Sequence, residues 1–209
     1  MKFFCNKEHT NDTFWHRKFG VPVGSIIVLI LEFVQVVVIA AAIIIPIRYF
    51  LAQPFYVKGA SMEPNFYDRE YLIINEIGYR LSEPARGDIV VFHYPKDESE
   101  YFIKRIIGLP GETVEIDGGR VVIYNNDHPN GLALDESEYL TEGTITIRGR
   151  YNKVTLSENE YYVLGDHRDA SSDSRAWGAV NRSEIVGEVW LRGLPVNRLS
   201  TFSNPNYNL

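Results

Sequence analysis

The pattern of hydrophobic and polar positions divides the chain into two parts. Residues 21–47 carry one formal charge, Glu32, and one amide, Gln35, whereas shorter apolar runs separated by turn residues follow position 55. A helix needs about 20 apolar residues to cross the ~30 Å hydrocarbon layer of a bilayer. Alternation with a period of two residues is instead typical of strands. The pattern therefore predicts a single transmembrane helix followed by a mainly β domain.

The apolar segment is predicted to be an uncleaved anchor over residues 21–50. The alanine run at 40–42 would suit cleavage of a removable signal peptide, but isoleucines 43–45 extend the apolar stretch beyond it. The preceding segment, 1–20, has more basic than acidic residues, namely Lys2, Lys7, Arg17 and Lys18 against Glu8 and Asp12. By the positive-inside rule, we expect this segment in the cytoplasm and everything after Arg48 on the outer side of the cytoplasmic membrane.

The part after the anchor is predicted to consist of antiparallel β-sheets, folded against each other or into a partly open barrel. Aromatic and β-branched residues, which favour strands, recur at 70–74, 88–94, 101–108, 113–116, 120–124, 144–148 and 160–164. Asp117-Gly118-Gly119 is a hairpin signal between two of these runs. Residues 96–100 are expected to form a charged loop.

The same pattern predicts the domain organisation. Residues 51–110 and 160–200 are expected to form the principal β domain. The stretch 111–159 is hairpin-rich and holds no catalytic grouping, so we interpret it as an inserted β subdomain. Residues 201–209 are expected to form a C-terminal tail.

Composition narrows the functional classes. The formal net charge of −6, with no basic cluster, argues against nucleic-acid binding because nothing would offset phosphate repulsion. Cys5 is the only cysteine, so the chain can form neither an internal disulfide nor a cysteine-ligated zinc site. We predict no metal and no other cofactor.

Two residues that are distant in the sequence offer nucleophilic chemistry. Ser61 lies in the Gly-containing turn 59–64, where it is either a nucleophile or an ordinary turn residue. Lys104 lies in the run 102–107, where alternation gives each face one cation among apolar residues. A buried lysine loses solvation of its charged form, so its pKa falls and its neutral amine can accept a serine proton. A solvated lysine on an edge strand is the alternative.

A third polar feature is the loop 165–175, which reads GDHRDASSDSR. Asp173 and Arg175 are expected to form a salt bridge that fixes the loop, and a loop serine to hydrogen-bond the lysine amine. His167 suggests a different site, a Ser-His-Asp triad with Ser61. A calcium loop is disfavoured because the spacing does not match the alternating ligands of an EF-hand.

Taken together, these motifs resemble bacterial type I signal peptidases, in particular the shorter Gram-positive-like members. The resemblance rests on four blocks downstream of an anchor: Ser61-Met62-Glu63-Pro64, Gly87-Asp88-Ile89-Val90-Val91-Phe92, Lys104-Arg105-Ile106-Ile107-Gly108-Leu109-Pro110-Gly111 and the loop 165–175. It implies a membrane-bound serine endopeptidase with a Ser-Lys dyad. Such an enzyme cleaves N-terminal signal peptides from exported preproteins at Ala-x-Ala-like sites and releases the mature proteins.

The resemblance also implies roles for individual residues. Ser61 would be the nucleophile and Lys104 the general base, with the amine of the lysine oriented by Ser171. Asp173 and Arg175 would brace the loop. Backbone N–H groups, including that of the nucleophile, would hold the oxyanion, since the position two before it is a glycine without a hydroxyl. The remaining implied site residues are Gly59 at the oxyanion and Phe55, Val57, Met62, Phe102 and Ile103 at the substrate.

The implied partners are preproteins and the lipid bilayer, with the secretion translocon as a further candidate. Phe55, Tyr56 and Phe66 are expected to be exposed aromatic residues at the lipid interface. Two other classes stay open at this point. One is a tethered β domain that binds extended peptides without cleaving them, and the other is a related Ser-Lys protease with a regulatory or autoproteolytic target.

The chain departs from the family pattern at two places. His167 and Ala170 stand where asparagines are usual, which keeps the triad hypothesis open. Asn65-Phe66 stands where Thr-Leu is usual, which implies a change near the pocket that reads the substrate. Neither departure falls on the residues that would perform the chemistry.

Overall fold

The computed structural model describes residues 21–46 and 53–208. The chain divides into two compact units, residues 1–49 and 50–209. Two predictions lie outside the described residues: the cytoplasmic location of 1–20 and the end of the anchor at 47–50.

The first unit contains one long helix, α1, over Val21–Pro46. Its segment Ser25–Ile45 has a mean hydropathy of 2.9, and none of the most apolar stretch is buried. A helix that is apolar on every side belongs either in a core or in a membrane. Because α1 has no protein core around it, it fits a membrane anchor, and the prediction of an N-terminal apolar helix is confirmed.

The second unit is mainly β, as predicted, and its larger sheet has eight strands. Their order is β1-β2-β11-β3-β4-β9-β10, with β12 beside β11, and every pair is antiparallel. The strands are β1 Gln53–Tyr56, β2 Tyr71–Asn75, β3 Ile89–Tyr94, β4 Asp97–Gly108, β9 Glu160–Leu164, β10 Val180–Asn181, β11 Ile185–Leu194 and β12 Ser200–Thr201. The rings of Phe55 on β1 and Tyr101 on β4 lie only 5.2 Å apart, although these strands are not neighbours in the sheet. The sheet is therefore curled.

The smaller sheet has four strands in the order β7-β6-β5-β8. They are β5 Thr113–Asp117, β6 Arg120–Tyr124, β7 Leu132–Ala133 and β8 Lys153–Thr155. Asp117 pairs with Arg120 across the predicted hairpin turn. Gly118 and Gly119 both have positive φ, 55° and 80°, as a two-residue turn of the favoured twist requires.

Short helical segments connect the strands. They are α2 Gly78–Leu81 and α3 Ser174–Trp177, with 3₁₀ turns at Arg168–Ala170, Arg182–Glu184 and Val196–Arg198. The 3₁₀ turn at Arg168–Ala170 and α3 both fall in or beside the polar loop 165–175, so this loop is wound tightly and held close to the strands.

The two sheets share a hydrophobic core. Ile107, Tyr162 and Leu164 of the larger sheet pack with residues of the smaller one: Val114, Ile116, Val121 and Ile123. A second cluster, which includes Phe92, Ile106 and Trp177, fills one side of the larger sheet. A third, which includes Met62, Phe66 and Ile74, lies beneath the turn that carries Ser61. The smaller sheet is thus packed directly against the larger one, and its status as an inserted subdomain stays a prediction.

Two local expectations were wrong. Residues 144–148 form no strand. Thr146 N–H donates a single hydrogen bond to Gly119 O, in the turn between β5 and β6. Thr146 is also the buried residue, while Ile145 and Ile147 are 63% and 60% exposed. The hydroxyl of Thr146 accepts a hydrogen bond from buried Arg168, and this polar contact determines which face turns inward. The expected charged loop at 96–100 is instead largely the start of β4.

The expectation for one aromatic residue was wrong as well. Phe66 is fully buried, and its ring packs 4.5 Å from that of Phe202. Tyr56, by contrast, is 42% exposed. Phe66 therefore belongs to the core beneath the Ser61 turn, where it stabilises the turn, and it does not lie on the surface.

Gly108, at the contact between the sheets, should not tolerate a side chain. A Cβ at this position would lie 2.3 Å from Val114 Cγ2 and 3.0 Å from Tyr162 Cβ. Overpacking of this kind costs about 1–3 kcal/mol, so we expect Gly108→Ala to lower the free energy of unfolding by that amount in urea titrations of the detergent-solubilised protein. Gly193→Ala is the matched control, because its nearest atom would be Tyr71 O at 3.8 Å. Equal losses in the two variants would contradict this packing.

Candidate active site

The two residues singled out as nucleophile and base are adjacent in space. The Lys104 amine donates a hydrogen bond of 2.8 Å to the Ser61 hydroxyl oxygen and one of 2.7 Å to Ile103 O. Ser61 begins a turn after β1, and Lys104 lies within β4. Met62 and Phe66, both buried, anchor the turn in the core, and Phe66 N–H also donates to Met62 O. The geometry thus places a hydroxyl and an amine in position for proton transfer.

Burial changes the chemistry of the lysine. Lys104 is 3% exposed, and its amine lies 5.4 Å from the centre of the Phe102 ring. Loss of solvation lowers the pKa of Lys104 to about 8, although the carboxylates of Asp173 and Asp166 act in the opposite direction. No carboxylate among the described residues forms an ion pair with Lys104. With this pKa, about a tenth of the amine is uncharged at pH 7, far more than for an ordinary lysine.

The Ser61 turn is fastened to the polar loop through backbone groups. His167 N–H donates to Ser61 O at 3.1 Å, and its Nδ1 contacts Ala60 O at 3.1 Å. Gly165 approaches so closely that a Cβ there would lie 2.4 Å from Ser61 O. The histidine therefore contacts the backbone around the nucleophile, while the partner of the Ser61 hydroxyl is the lysine. This arrangement opposes the Ser-His-Asp alternative.

A buried ion pair lies directly behind the dyad. The Arg105 guanidinium donates two hydrogen bonds to Asp166, at 2.9 and 2.7 Å, and both side chains are almost fully buried. Asn65 joins this pair to the nucleophile turn, because its amide donates to Asp166 Oδ2 at 2.8 Å and to Tyr139 O at 2.9 Å. Asn65, one of the two departures from the family pattern after the nucleophile motif, is therefore part of the hydrogen-bond network of the site.

The predicted salt bridge of the loop is present. Asp173 is fully buried and accepts hydrogen bonds from Arg175 Nε and Nη2, each at 2.8 Å. It also accepts from the backbone N–H groups of Arg175 and Gly165. Arg175 Nη2 continues to Arg168 O at 2.7 Å. The carboxylate consequently holds both ends of the loop beside the dyad.

Ser171 lies at the site without the contact expected of it. Its hydroxyl is buried and has no hydrogen-bond partner among the described residues. It does lie near the dyad, since a Cβ on Gly165 would be 2.1 Å from Ser171 Oγ and 2.4 Å from Ser61 O. The amine of Lys104 is oriented instead by Ile103 O, so the orienting role of Ser171 stays a prediction.

The backbone around the nucleophile distinguishes the two proposed oxyanion residues. Gly59 has a φ of 88°, a conformation that favours glycine, and its N–H donates to Asp68 Oδ1 at 2.8 Å. The N–H of Ser61 makes no hydrogen bond within the described part of the chain. Ser61 N–H is therefore available to a ligand, whereas Gly59 shapes the turn and its N–H is already engaged.

An open cleft of about 640 Å³ leads to the dyad. Of the predicted substrate residues, Phe55, Val57, Phe102 and Ile103 line it, together with Leu72 and Val91 in its floor. Met62 does not line it, because this side chain is 1% exposed and lies in the core beneath. In the described residues β1 pairs with β2 alone, and the part of β4 before Arg105 pairs only with β3. Both walls of the cleft thus present unpaired strand edges.

A serine hydroxyl bonded to a buried, partly neutral lysine amine at the end of a peptide-sized cleft defines a serine hydrolase of the Ser-Lys class. Comparison with known proteins agrees: the family model described as "Signal peptidase, peptidase S26" matches residues 30–193. The chain belongs to this family of signal peptidases, which makes it a peptidase that cleaves signal peptides.

Two relatives that match in sequence support this membership. A probable signal peptidase I-2 from Synechocystis is 37% identical over 179 residues, which cover 83% of this chain and 78% of the relative. Signal peptidase IB from Staphylococcus aureus is 33% identical over 193 residues, covering 84% and 95%. The crystal structure of a signal peptidase I from Enterococcus faecalis is 30% identical in sequence, covers 52% of this chain and 97% of its own, and gives a TM-score of 0.42.

Four residues of the site were given no role in the Ser-Lys arrangement from the sequence. The buried pair of Arg105 and Asp166 involves residues 61 positions apart, and no local pattern connects them. Asn65 joins the same network across 101 positions. Gly165 was visible only as part of a motif. One signal for Arg105 was its position directly after Lys104. Neighbouring residues of a strand point to opposite faces, so a strand in a buried segment cannot expose both cations to solvent.

Removal of the Asp173 charge should destabilise the fold strongly. Asp173→Asn would leave the buried Arg175 guanidinium without its counterion, and breaking one partner of a buried pair costs about 3–5 kcal/mol. The matched control is Asp117→Asn, because Asp117 pairs with Arg148 on the surface, where both side chains are more than half exposed. We expect the control to lose about 0–1 kcal/mol. Urea titrations that gave the two variants the same free energy of unfolding would refute the bracing role.

Proposed function

We propose that Ser61 and Lys104 are the catalytic dyad of this signal peptidase and that it cleaves preproteins after small residues at Ala-x-Ala-like sites. The observation that carries the assignment is the 2.8 Å contact between the Ser61 hydroxyl and an amine whose pKa is lowered by burial. Geometry gives the hydroxyl its partner, and desolvation supplies the neutral base that the reaction needs.

Acylation is the first half of the reaction. The neutral Lys104 amine takes the hydroxyl proton as Ser61 Oγ forms a bond to the scissile carbonyl carbon. When the tetrahedral intermediate collapses, the bond between the carbonyl carbon and the amide nitrogen breaks. The leaving nitrogen takes the proton from the Lys104 ammonium, which frees the mature protein and leaves the signal peptide esterified to Ser61.

Deacylation regenerates the enzyme. The Lys104 amine takes a proton from water as the water oxygen attacks the ester carbonyl, and collapse returns the proton to Ser61 Oγ. The negative charge of each intermediate is held by Ser61 N–H, which has no other partner among the described residues. A preorganised donor of this kind contributes about 2.7–4 kcal/mol to lowering a barrier.

Substrate is held as an added strand. The edges of β1 and β4 face the cleft, and an extended peptide can form main-chain hydrogen bonds with them while its alternate side chains enter the floor. This floor is narrowed by the side chains that line the cleft, Phe55, Val57, Phe102 and Ile103. The narrow floor favours small side chains at the first and third positions before the cut. Because main-chain bonds are independent of side-chain identity, one enzyme can accept many signal peptides.

The membrane arrangement completes the proposal. With segment 1–20 in the cytoplasm, α1 spans the membrane once and the β unit lies on the extracytoplasmic side. There it meets preproteins as they emerge from the secretion translocon, with its exposed aromatic residues near the lipid surface. The basic residues before α1 support this orientation.

Substitution of either dyad residue should abolish cleavage. We expect Ser61→Ala and Lys104→Met each to lower kcat by at least about a thousandfold, since each removes a group that acts in every step. The test is incubation of the full-length protein with a model preprotein, followed by mass analysis of the products. Lys153→Ala, which removes an exposed lysine, is the control and should cleave normally after an Ala-x-Ala-like site. Retained activity in Lys104→Met together with its loss in His167→Ala would establish the triad instead.

The rate should follow the ionisation of Lys104. With a pKa of about 8, the neutral fraction of the amine increases as the pH rises through that value. We expect kcat/KM for a quenched fluorescent peptide to rise about tenfold between pH 7 and pH 9, because only the neutral amine accepts the serine proton. Lys153→Ala should show the same profile. A midpoint well below pH 8 would contradict Lys104 as the base.

A further inference from the structure

A second groove of about 670 Å³ lies on the other side of the Ser61 turn. Residues 59–61 of this turn line the cleft, whereas Glu63 and Pro64 line the second groove. The polar loop is divided in the same way, since Ala170 and Ser172 face the cleft and residues 166–169 face the second groove. The nucleophile turn and the loop thus form a ridge with one groove on each side.

The walls of the cleft give the bound chain a direction. The two walls lie side by side. They are in contact at the rings of Phe55 and Tyr101, 5.2 Å apart, and again at Ser61 and Lys104. The dyad is therefore at one end of the cleft. A peptide whose residues before the scissile bond occupy β1 and β4 has to continue beyond Ser61, and the second groove begins within two residues of it, at Glu63.

The far wall of the second groove suits an extended chain. Ile145 and Ile147, which line it, are 63% and 60% exposed. The backbone N–H and C=O of Ile145 and the N–H of Ile147 make no hydrogen bond within the described residues. This is the segment whose sequence alternates like a strand although it forms none. A peptide laid beside it would gain main-chain hydrogen bonds and cover the two isoleucines.

The charges of the second groove favour some peptides over others. The cationic side chain Arg168 is buried and paired with Glu136, and Asp166 is paired with Arg105. Glu63 and the exposed Asp169 form no ion pair within the described part of the chain. The groove therefore presents uncompensated negative charge beside apolar side chains.

We propose that the second groove binds the segment of the preprotein that follows the scissile bond. This segment lies extended along residues 144–148, and the groove accepts apolar or basic side chains in preference to acidic ones. The inference rests on the proposed function, since it needs the cleft to hold the residues before the cut. It adds a specificity determinant on the mature side of the substrate.

The experiment compares two substrates with the same residues before the cut. The short one ends one residue after the scissile bond, and the long one continues for about eight residues of leucine and lysine, roughly 26 Å when extended. For the full-length wild-type protein we expect kcat/KM to be about five- to tenfold higher for the long substrate. In the double variant Ile145→Lys, Ile147→Lys, which removes the apolar side chains and repels the lysines of the substrate, this advantage should disappear, while the rate for the short substrate stays at the wild-type value.

The matched control is Val196→Lys, because Val196 is 72% exposed and lines neither groove. It should keep the advantage of the long substrate. The milder variant Ile145→Ser, Ile147→Ser should lose part of it. A third substrate, with glutamates in place of the lysines, should be cleaved about fivefold more slowly by the wild type, as expected for like charges a few ångströms apart in water. Asp169→Asn should narrow that difference.

The outcomes separate this inference from the proposed function. If the wild type cleaves neither substrate, the proposed function fails and the inference fails with it. If the wild type cleaves both at equal rates, or the double lysine variant keeps the advantage of the long substrate, the second groove is not used although the enzyme is a signal peptidase as proposed. An equal loss on both substrates in the lysine and serine double variants would also overturn the inference, because it would indicate a structural effect.

Discussion

The site depends on one unfavourable interaction, the burial of an amine that has no counterion. Lys104 is nearly inaccessible, and it is unlike the buried arginines of the described residues: Arg105 with Asp166, Arg168 with Glu136, Arg175 with Asp173 and Arg192 with Glu70. A carboxylate beside Lys104 would return its pKa to the ordinary value and remove the base. The fold instead offers the amine two neutral acceptors, the Ser61 hydroxyl and Ile103 O, which tolerate either protonation state.

The neighbouring ion pairs follow from this constraint. Asp166 and Asp173 are close enough to raise the pKa of Lys104, yet each is bound in two-point contact by its own arginine. Each guanidinium offsets the negative charge of its carboxylate, which would otherwise stabilise the Lys104 ammonium. The same pairs fix the loop and, through Asn65, the nucleophile turn. Structural bracing and control of the base are therefore performed by the same groups, and a variant in either carboxylate changes stability and pKa together.

The sequence predicts what local pattern and motif determine. Three features could be predicted because each depends on residues that are close in the chain: the apolar helix, the hairpin at residues 117–120 and the salt bridge of Asp173 with Arg175. Contacts between distant residues were not, as with Asn65 and Asp166. The interpretation of 144–148 failed for a related reason: alternation specifies a strand only when a partner edge is present, and a single buried threonine, bonded to Arg168, reversed the face that points inward.

The open strand edges explain a further misinterpretation. Unpaired edges are needed for an extended substrate, but they also invite pairing between copies of the chain, and charged side chains are a common protection. The outer part of β4 carries Asp97, Glu98 and Glu100, all exposed. These carboxylates made residues 96–100 resemble a loop. The cleft borders this strand from Ser99 to Lys104, so the acidic side chains end with Glu100 at its outer rim and aromatic and apolar side chains follow from Tyr101 to Ile103. The charge pattern of this strand thus changes from acidic to aromatic and apolar along the open edge.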